Sequence, residues 1–148
     1  MKYQVEIKIN RSIDEVIPLF DSFENLKKWQ PGLQSFEHLE GTPGENGAKT
    51  RLIYIEKGGR NVEMIETIIN RNLPEEFTAT YDAKGVKNWV KNQFVESGAN
   101  QTRWINENIF NFTGFMKIMG FLMKSAFPKQ TLKDMALFKD FVEASPKK

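Results

Sequence analysis

The stretch that decides the fold is residues 102–143, TRWINENIFNFTGFMKIMGFLMKSAFPKQTLKDMALFKDFVE, because its hydrophobic period changes part of the way along. In the first part, apolar and polar side chains alternate with the period of two that is typical of a half-buried strand. In the second part, apolar residues recur every three or four positions, as on an amphipathic helix. The sequence therefore predicts a strand, Thr102–Phe112, and then a helical region, Phe115–Val142, kinked or broken near Pro128.

The residues before this stretch predict a series of strands. Gly58 and Gly59 lie between two β-rich runs, where a two-residue hairpin needs positive φ angles. Consecutive strands joined by short turns form an antiparallel meander, because parallel crossovers need about a dozen or more residues. The predicted strands are Leu33–Leu39, Lys49–Glu56, Asn61–Arg71, Phe77–Asp82 and Val86–Glu96.

The N-terminal part adds a first strand, Lys2–Asn10, and two short helices. Ser12 and Glu15 have the spacing of a capping box at the start of the first helix, which runs to Phe20. The second helix is predicted from Ser22 to about Lys28. Only the C-terminal helical region is long enough to cover the apolar face of the sheet. We therefore expect an α+β fold in which a curved antiparallel sheet of six to seven strands surrounds a long C-terminal helix.

Length and composition indicate the broad class of protein. A chain of 148 residues predicts one domain, residues 1–148, and 40% apolar residues argue against intrinsic disorder. The 21 basic and 19 acidic residues give a net charge of +2, which does not call for a nucleic-acid partner. The absence of cysteine favours a cytoplasmic location. The longest apolar stretch, between Lys117 and Lys124, is too short to cross a bilayer, so we expect no stable membrane insertion.

Motifs for metal binding and nucleophilic catalysis are lacking in the sequence. The single histidine, His38, lies in a strand pattern, and there is no second histidine or any cysteine to complete a metal site. No nucleophile-elbow, phosphate-loop or dinucleotide-binding pattern occurs. We therefore predict that the protein requires no metal and no other cofactor.

The faces of the last two strands carry more functional information. One face of Thr102–Phe112 presents Trp104, Asn106, Asn108 and Phe110. Aromatic side chains beside amides fit a partly polar cavity, in which the amides orient the polar end of a ligand. The alternative is that these are ordinary half-exposed strands whose amides meet water, and a shift of one residue in register would exchange the two faces.

Glu66 is the candidate catalytic residue. It shares a strand face with Val62, Met64 and Ile68, and apolar surroundings would raise the pKa of its carboxyl group. Such a group can act as a general acid or base. The alternative is that Glu66 pairs with a cation such as Arg51, or lies at a cavity mouth in water.

The helical region supplies the opposite wall of the predicted cavity. Its Met- and Phe-rich start is either core alone or core that also contacts a ligand, because methionine adapts to varied apolar shapes. The complete set of predicted ligand-binding residues is Met64, Glu66, Tyr81, Asn88, Val90, Asn92, Phe94, Trp104, Asn106, Asn108, Phe110, Phe115, Met119 and Met123.

Several segments in this order of elements carry a resemblance to a known family. They are VEIKINRSIDEVIPLF (5–20), ENLKKWQPGLQSFE (24–37), GAKTRLIY (47–54), EMIETIINRNLPEEF (63–77), TRWINENIF (102–110) and the helical region that follows. Together they resemble the START-like helix-grip superfamily (SRPBCC), which includes polyketide cyclase/dehydrase-like and lipid-transfer proteins, and the resemblance covers nearly the whole chain. It implies a cavity between the sheet and the long helix that takes lipids, polyketides or other bulky apolar ligands.

Three functions are compatible with this interpretation. The first is binding of a hydrophobic or amphipathic small molecule, lipid-like or polyketide-like, without chemical change. The second is an enzyme of the cyclase/dehydratase kind that uses a cavity carboxyl or amide group for proton transfer. The third is a protein-interaction module such as a chaperone activator. The lack of a nucleophile or metal motif favours binding over catalysis.

Overall fold

The computed structural model describes residues 1–56 and 58–147, which form seven strands and four helices. The strands are β1 (Lys2–Ile9), β2 (Leu33–Glu40), β3 (Lys49–Ile55), β4 (Asn61–Asn72), β5 (Glu76–Ala83), β6 (Val86–Glu96) and β7 (Thr102–Phe112). The helices are α1 (Ile13–Phe20), α2 (Phe23–Trp29), α3 (Phe115–Leu122) and α4 (Ala126–Ala144).

The strands form one antiparallel sheet in the order β1-β7-β6-β5-β4-β3-β2. Helices α1 and α2 connect β1 at one edge to β2 at the other. Irregular pairing between Ile68 and Asn70 in β4, and at two points in β2, marks bulges that bend these strands. The predicted α+β helix-grip architecture is confirmed, with the two short helices directly after the first strand.

The C-terminal helical region is two helices, and the break comes earlier than Pro128. Helix α3 ends at Leu122, and α4 begins at Ala126. Pro128 is the third residue of α4. At that position a backbone N–H has no intrahelical acceptor, so a proline is tolerated there without breaking the helix.

The hydrophobic core lies where α4 meets the sheet and the two short helices. Phe138 is fully buried, with its ring centroid 5.0 Å from that of Trp29 and 5.2 Å from that of Trp104. Burial of large aromatic side chains contributes much of the stability of a domain of this size. The buried members of this cluster are Ile9, Val16, Trp29, Phe94, Trp104, Met135, Phe138 and Val142.

Both ends of α4 are attached to β1 or to the residues that follow it. At the C-terminal end, the buried Arg11 donates to the carbonyl oxygens of Glu143 at 2.6 Å and Ser145 at 2.9 Å. A cation at this position also interacts favourably with the helix dipole. Near the N-terminal end, the Tyr3 hydroxyl and the Thr131 hydroxyl are 2.7 Å apart. Helix α4 therefore lies along the β1 edge.

Candidate functional site

The strand register brings the predicted strand residues onto one face of the sheet, which we call the inner face. Directly paired residues share a face, and one such row runs from Glu66 through Tyr81 and Asn88 to Phe110. The core residues Phe94 and Trp104 are also a direct pair, on the face that α4 covers. The inner face thus includes Met64, Glu66, Tyr81, Asn88, Val90, Asn92, Phe94, Trp104, Asn106, Asn108 and Phe110.

One end of this face is aromatic. The rings of Phe94 and Trp104 stack with a centroid distance of 5.5 Å, and both side chains are buried. The indole N–H of Trp104 donates to Asn92 Oδ1 at 2.9 Å, which satisfies its one polar group. Trp104 therefore joins the core to the polar part of the inner face.

Four asparagines form a chain of hydrogen bonds beyond that aromatic end. Asn106 Nδ2 donates to Asn92 Oδ1 at 2.8 Å, Asn108 Nδ2 donates to Asn106 Oδ1, and Asn88 Nδ2 donates to Asn108 Oδ1 at 3.3 Å. The chain ends at Asn88 Oδ1, which is buried and has no hydrogen-bond donor among the described residues. A buried acceptor without a partner costs about 1–3 kcal/mol. A donor on a ligand would remove that cost.

Glu66 lies on the same face, with Tyr81 between it and Asn88 in the register, and it is buried. Its Oε2 accepts a hydrogen bond from the Tyr81 hydroxyl at 2.8 Å. The alternative in which Glu66 pairs with Arg51 is wrong, because Arg51 lies on the opposite face of the sheet. There its guanidinium group contacts Glu37 at 3.0 Å and Glu63 at 3.3 Å.

Burial controls the ionisation of this group. Desolvation raises the pKa of Glu66 above its ordinary value, and the hydrogen bond from Tyr81 opposes that rise. Desolvation also raises the pKa of Tyr81, and the nearby Glu66 charge raises it further. The pair can therefore hold and release a proton at Glu66 while Tyr81 stays a neutral donor.

Tyr54 faces the same site from β3 and is not among the residues predicted from the sequence. Its hydroxyl donates to Gln30 Oε1 at 2.7 Å. Desolvation raises the pKa of Tyr54, and the Glu66 charge contributes to the rise. The alternation of Thr50, Leu52 and Tyr54 along β3 is the signal that could have found it.

The three predicted site residues on and just after α3 are placed differently. Phe115 is 70% exposed, Met123 is 47% exposed and Met119 is half-buried. The helix turns its Met116 and Gly120 side toward the body of the protein: a Cβ at Gly120 would lie 2.7 Å from the Phe112 ring. Phe115 and Met123 therefore do not line the inner face, because that close contact rotates them into solvent.

Two surface pockets lie almost entirely outside the predicted site. One, of about 450 Å³, is lined by Ile13, Pro74, Glu75 and residues 93–96. The other, of about 400 Å³, is lined by Glu63, Ile65 and residues 82–84. Phe94 is the one predicted site residue that either pocket includes. A ligand cavity between the sheet and α4 remains a prediction.

An antiparallel sheet with a long helix against a partly polar inner face defines a helix-grip protein of the START-like superfamily (SRPBCC). The chain belongs to the family described as polyketide cyclase / dehydrase and lipid transport, which it matches over residues 1–136. No curated protein matches the sequence significantly.

Solved structures support the same fold at low sequence identity. A conserved protein from Geobacillus kaustophilus superposes with a TM-score of 0.80 at 14% identity, over 97% of this chain and 95% of that one. A START superfamily protein from Mycobacterium smegmatis gives 0.75 at 14% identity, over 96% and 97%. The Zhui aromatase/cyclase from Streptomyces sp. R1128 gives 0.75 at 11% identity, over 97% and 93%. At such identities these likenesses define the fold and leave the ligand open.

Proposed function

We propose that residues 1–148 act as one domain that binds a hydrophobic or amphipathic small molecule against the inner face of the sheet. The ligand would be lipid-like or polyketide-like, with an apolar body and at least one hydrogen-bond donor. Helix α4 packs mainly against β1 and α2, and inner-face residues on the central strands such as Val90 and Tyr81 are only half-buried. Apolar surface of this kind favours a ligand that removes it from water.

The buried acceptor Asn88 Oδ1 is the observation that carries this proposal. Asn88 is half-buried, and the amide chain uses its Nδ2 as a donor toward Asn108. Its oxygen therefore receives no hydrogen bond from the described residues. A hydroxyl or amine on a ligand could pair with this oxygen while the apolar body of the ligand lies beside Val90 and Tyr81.

Native mass spectrometry of the freshly purified protein tests the proposal directly. We expect an additional mass that survives gentle desolvation and disappears after extraction with organic solvent. A protein that carries no ligand, and that also fails to bind the neutral fluorescent probe N-phenyl-1-naphthylamine, would contradict it.

Substitution of Val90 locates the binding site. Val90 lies on the inner face between Asn108 and Ala79 in the register, so Val90→Phe would fill space over the amides. We expect probe affinity to fall by roughly tenfold or more, which is at least about 1.4 kcal/mol. The matched control is Val95→Phe on the outer face of the same strand, where probe affinity should not change. Equal effects of the two substitutions would place the probe elsewhere.

A second candidate function is proton-transfer catalysis of the cyclase/dehydratase kind, which the Glu66–Tyr81 contact favours. A desolvated carboxyl group beside a neutral hydroxyl donor is suited to move a proton at a bound carbonyl compound. The test is turnover of a poly-β-ketone substrate. Glu66→Gln should abolish turnover and keep binding, since glutamine retains an acceptor for Tyr81. Binding without any turnover by the unsubstituted protein would leave ligand binding as the function.

A further inference from the structure

Helix α3 presents an apolar surface to solvent. Phe115, Ile118, Phe121 and Leu122 are 70%, 58%, 77% and 69% exposed. At about 100° per residue these four positions fall within about 120° of the helix circumference. They therefore form one continuous stripe, which we call the α3 stripe.

The stripe faces away from the body of the protein because the opposite side of the helix is packed. That side is already in contact, since a Cβ at Gly85 would lie 2.7 Å from Met116 Cγ, and Gly120 lies against the Phe112 ring. Gly85 also has a positive φ of 78°, which lets the β5–β6 turn pass close to α3. Helix α3 is thus fixed with its apolar stripe outward.

The chain segment that contains the stripe carries charges of one sign. Residues 109–133 contain four lysines and no acidic residue, while the remaining 17 basic and 19 acidic residues leave the rest of the chain at −2. All four of these lysines are exposed: Lys117, Lys124, Lys129 and Lys133. An apolar stripe within a basic chain segment has the composition of a helix that lies in the interface of an anionic bilayer.

We propose that the α3 stripe is a docking surface for anionic lipid bilayers, where the helix lies in the plane of the interface and does not span it. No helix among residues 1–56 and 58–147 is long and apolar enough to cross a membrane. Helix α3 itself is about 12 Å long. A second copy of the chain fits less well, because a two-fold contact through this surface would bring both sets of lysines together.

Vesicle co-sedimentation of the intact protein tests this proposal. We expect binding to vesicles of phosphatidylcholine with phosphatidylglycerol, weak binding to phosphatidylcholine alone, and a marked loss in 1 M salt, where the Debye length falls to about 3 Å. Absence of binding to the anionic vesicles, or equal binding to both compositions, would overturn the proposal.

Two pairs of variants separate the apolar and electrostatic contributions. Phe121→Ser should weaken vesicle binding by roughly tenfold or more, and Val95→Ser, at an exposed valine on the outer sheet face, should have no effect. Lys117→Gln should weaken binding to anionic vesicles by about fivefold, with the exposed Lys28→Gln on α2 as its control. Equal losses within either pair would contradict a role of α3.

Two further measurements separate bilayer docking from misfolding and from dimer formation. Each substituted side chain is exposed, so thermal unfolding should stay unchanged and a loss of binding cannot be assigned to misfolding. Light scattering should show no change in mass for Phe121→Ser. If the unsubstituted protein is a dimer and Phe121→Ser dissociates it, the α3 stripe binds a second copy of the chain and not a bilayer. Probe binding at the inner face should be unaffected by Phe121→Ser, which keeps this proposal separable from the proposed function.

Discussion

Two neighbouring parts of the β6–β7 pair are built from the same strands and have opposite character. At one end Phe94 and Trp104 pack against Phe138 of α4, with every ring buried. One register step away along β7, Asn106 and then Asn108 continue the same face and are also buried. The residues that pack against Phe138 are aromatic, and we call them the aromatic end. The four asparagines next to them are bonded to one another, and we call them the amide end. Past these asparagines, Phe110 packs against Phe127 of α4.

This difference indicates that one part of the strand pair stabilises the fold and the other part is suited to bind a ligand. Aromatic burial stabilises the fold without requiring any partner group. Amides in a low-dielectric setting gain stability only while each donor and acceptor is paired, and one acceptor, Asn88 Oδ1, is not paired within the described residues. We infer that the aromatic end holds the sheet to α4 and that the amide end is suited to contact a ligand.

The largest expected effect comes from breaking the aromatic end. Phe138→Ala removes a fully buried ring that contacts Trp29, Trp104 and Phe20. We expect the free energy of unfolding to fall by about 3–5 kcal/mol, from lost burial and the cavity left behind. Urea denaturation measures it. Phe115→Ala is the matched control on exposed α3 and should change stability by less than about 0.5 kcal/mol. Similar losses in both variants would contradict the assignment of the core.

A smaller effect is expected at the amide end. Asn106→Leu removes the acceptor of the Asn108 amide and one of the two donors to Asn92 Oδ1. We expect a loss of about 1–3 kcal/mol in the free energy of unfolding, because the Asn108 donor is left buried and unpaired. Urea denaturation measures this loss as well. Ligand preference should shift toward wholly apolar molecules.

The control for that substitution is Asn111→Leu, on the same strand but on the exposed outer face. It should leave both stability and ligand preference nearly unchanged. If Asn106→Leu has the same free energy of unfolding as the unsubstituted protein, the hydrogen bonds among the asparagines do not contribute to stability as their geometry indicates.

The sequence predicted the fold far better than the site. The alternation of apolar and polar residues predicted each strand, because a half-buried strand needs a period of two. The same alternation placed Trp104 and Asn106 on one face of β7 and Ile109 on the other. In the structure Trp104 and Asn106 are buried and Ile109 is 40% exposed. The partners of those residues depend on register across the sheet. The Glu66–Tyr81 contact joins side chains 15 positions apart, and the Tyr54–Gln30 contact joins a strand to the end of α2. A one-dimensional pattern does not contain these pairings.

For helix α3, the sequence pattern predicted the wrong side of the helix to be buried. Its apolar residues have helical spacing, which indicates a buried face, yet the more apolar side is turned outward. The cause is local and steric. Gly120 and Gly85 allow closer approach than any other residue would, so the helix packs through its glycine side and not through its phenylalanines. Hydrophobic periodicity reflects only the positions of apolar side chains. It does not predict a close contact that forms because glycine has no side chain.

The most delicate test of the inner face is the pH dependence of stability that Glu66 contributes. The pKa of Glu66 is raised in the folded protein, so the folded state retains a proton that the unfolded chain has already lost. This contribution is fully present below the unfolded pKa and is lost as pH rises through the folded pKa. Over that window the loss approaches about 1.4 kcal/mol for each pH unit. Glu66→Gln cannot titrate, so its stability relative to the unsubstituted protein should increase with pH across the same window.

Two variants at neighbouring positions sharpen this pH test. Glu63→Gln, on the exposed outer face of β4, should leave the pH profile of stability essentially unchanged. Tyr81→Phe removes the hydrogen bond that favours the ionised form of Glu66, so the pKa of Glu66 should rise further and the loss of stability should extend to higher pH. Urea unfolding between about pH 4 and pH 9 measures all three. A flat difference between Glu66→Gln and the unsubstituted protein would mean that water reaches the carboxyl group, and the inner face around Glu66 would then be wetter than the geometry indicates.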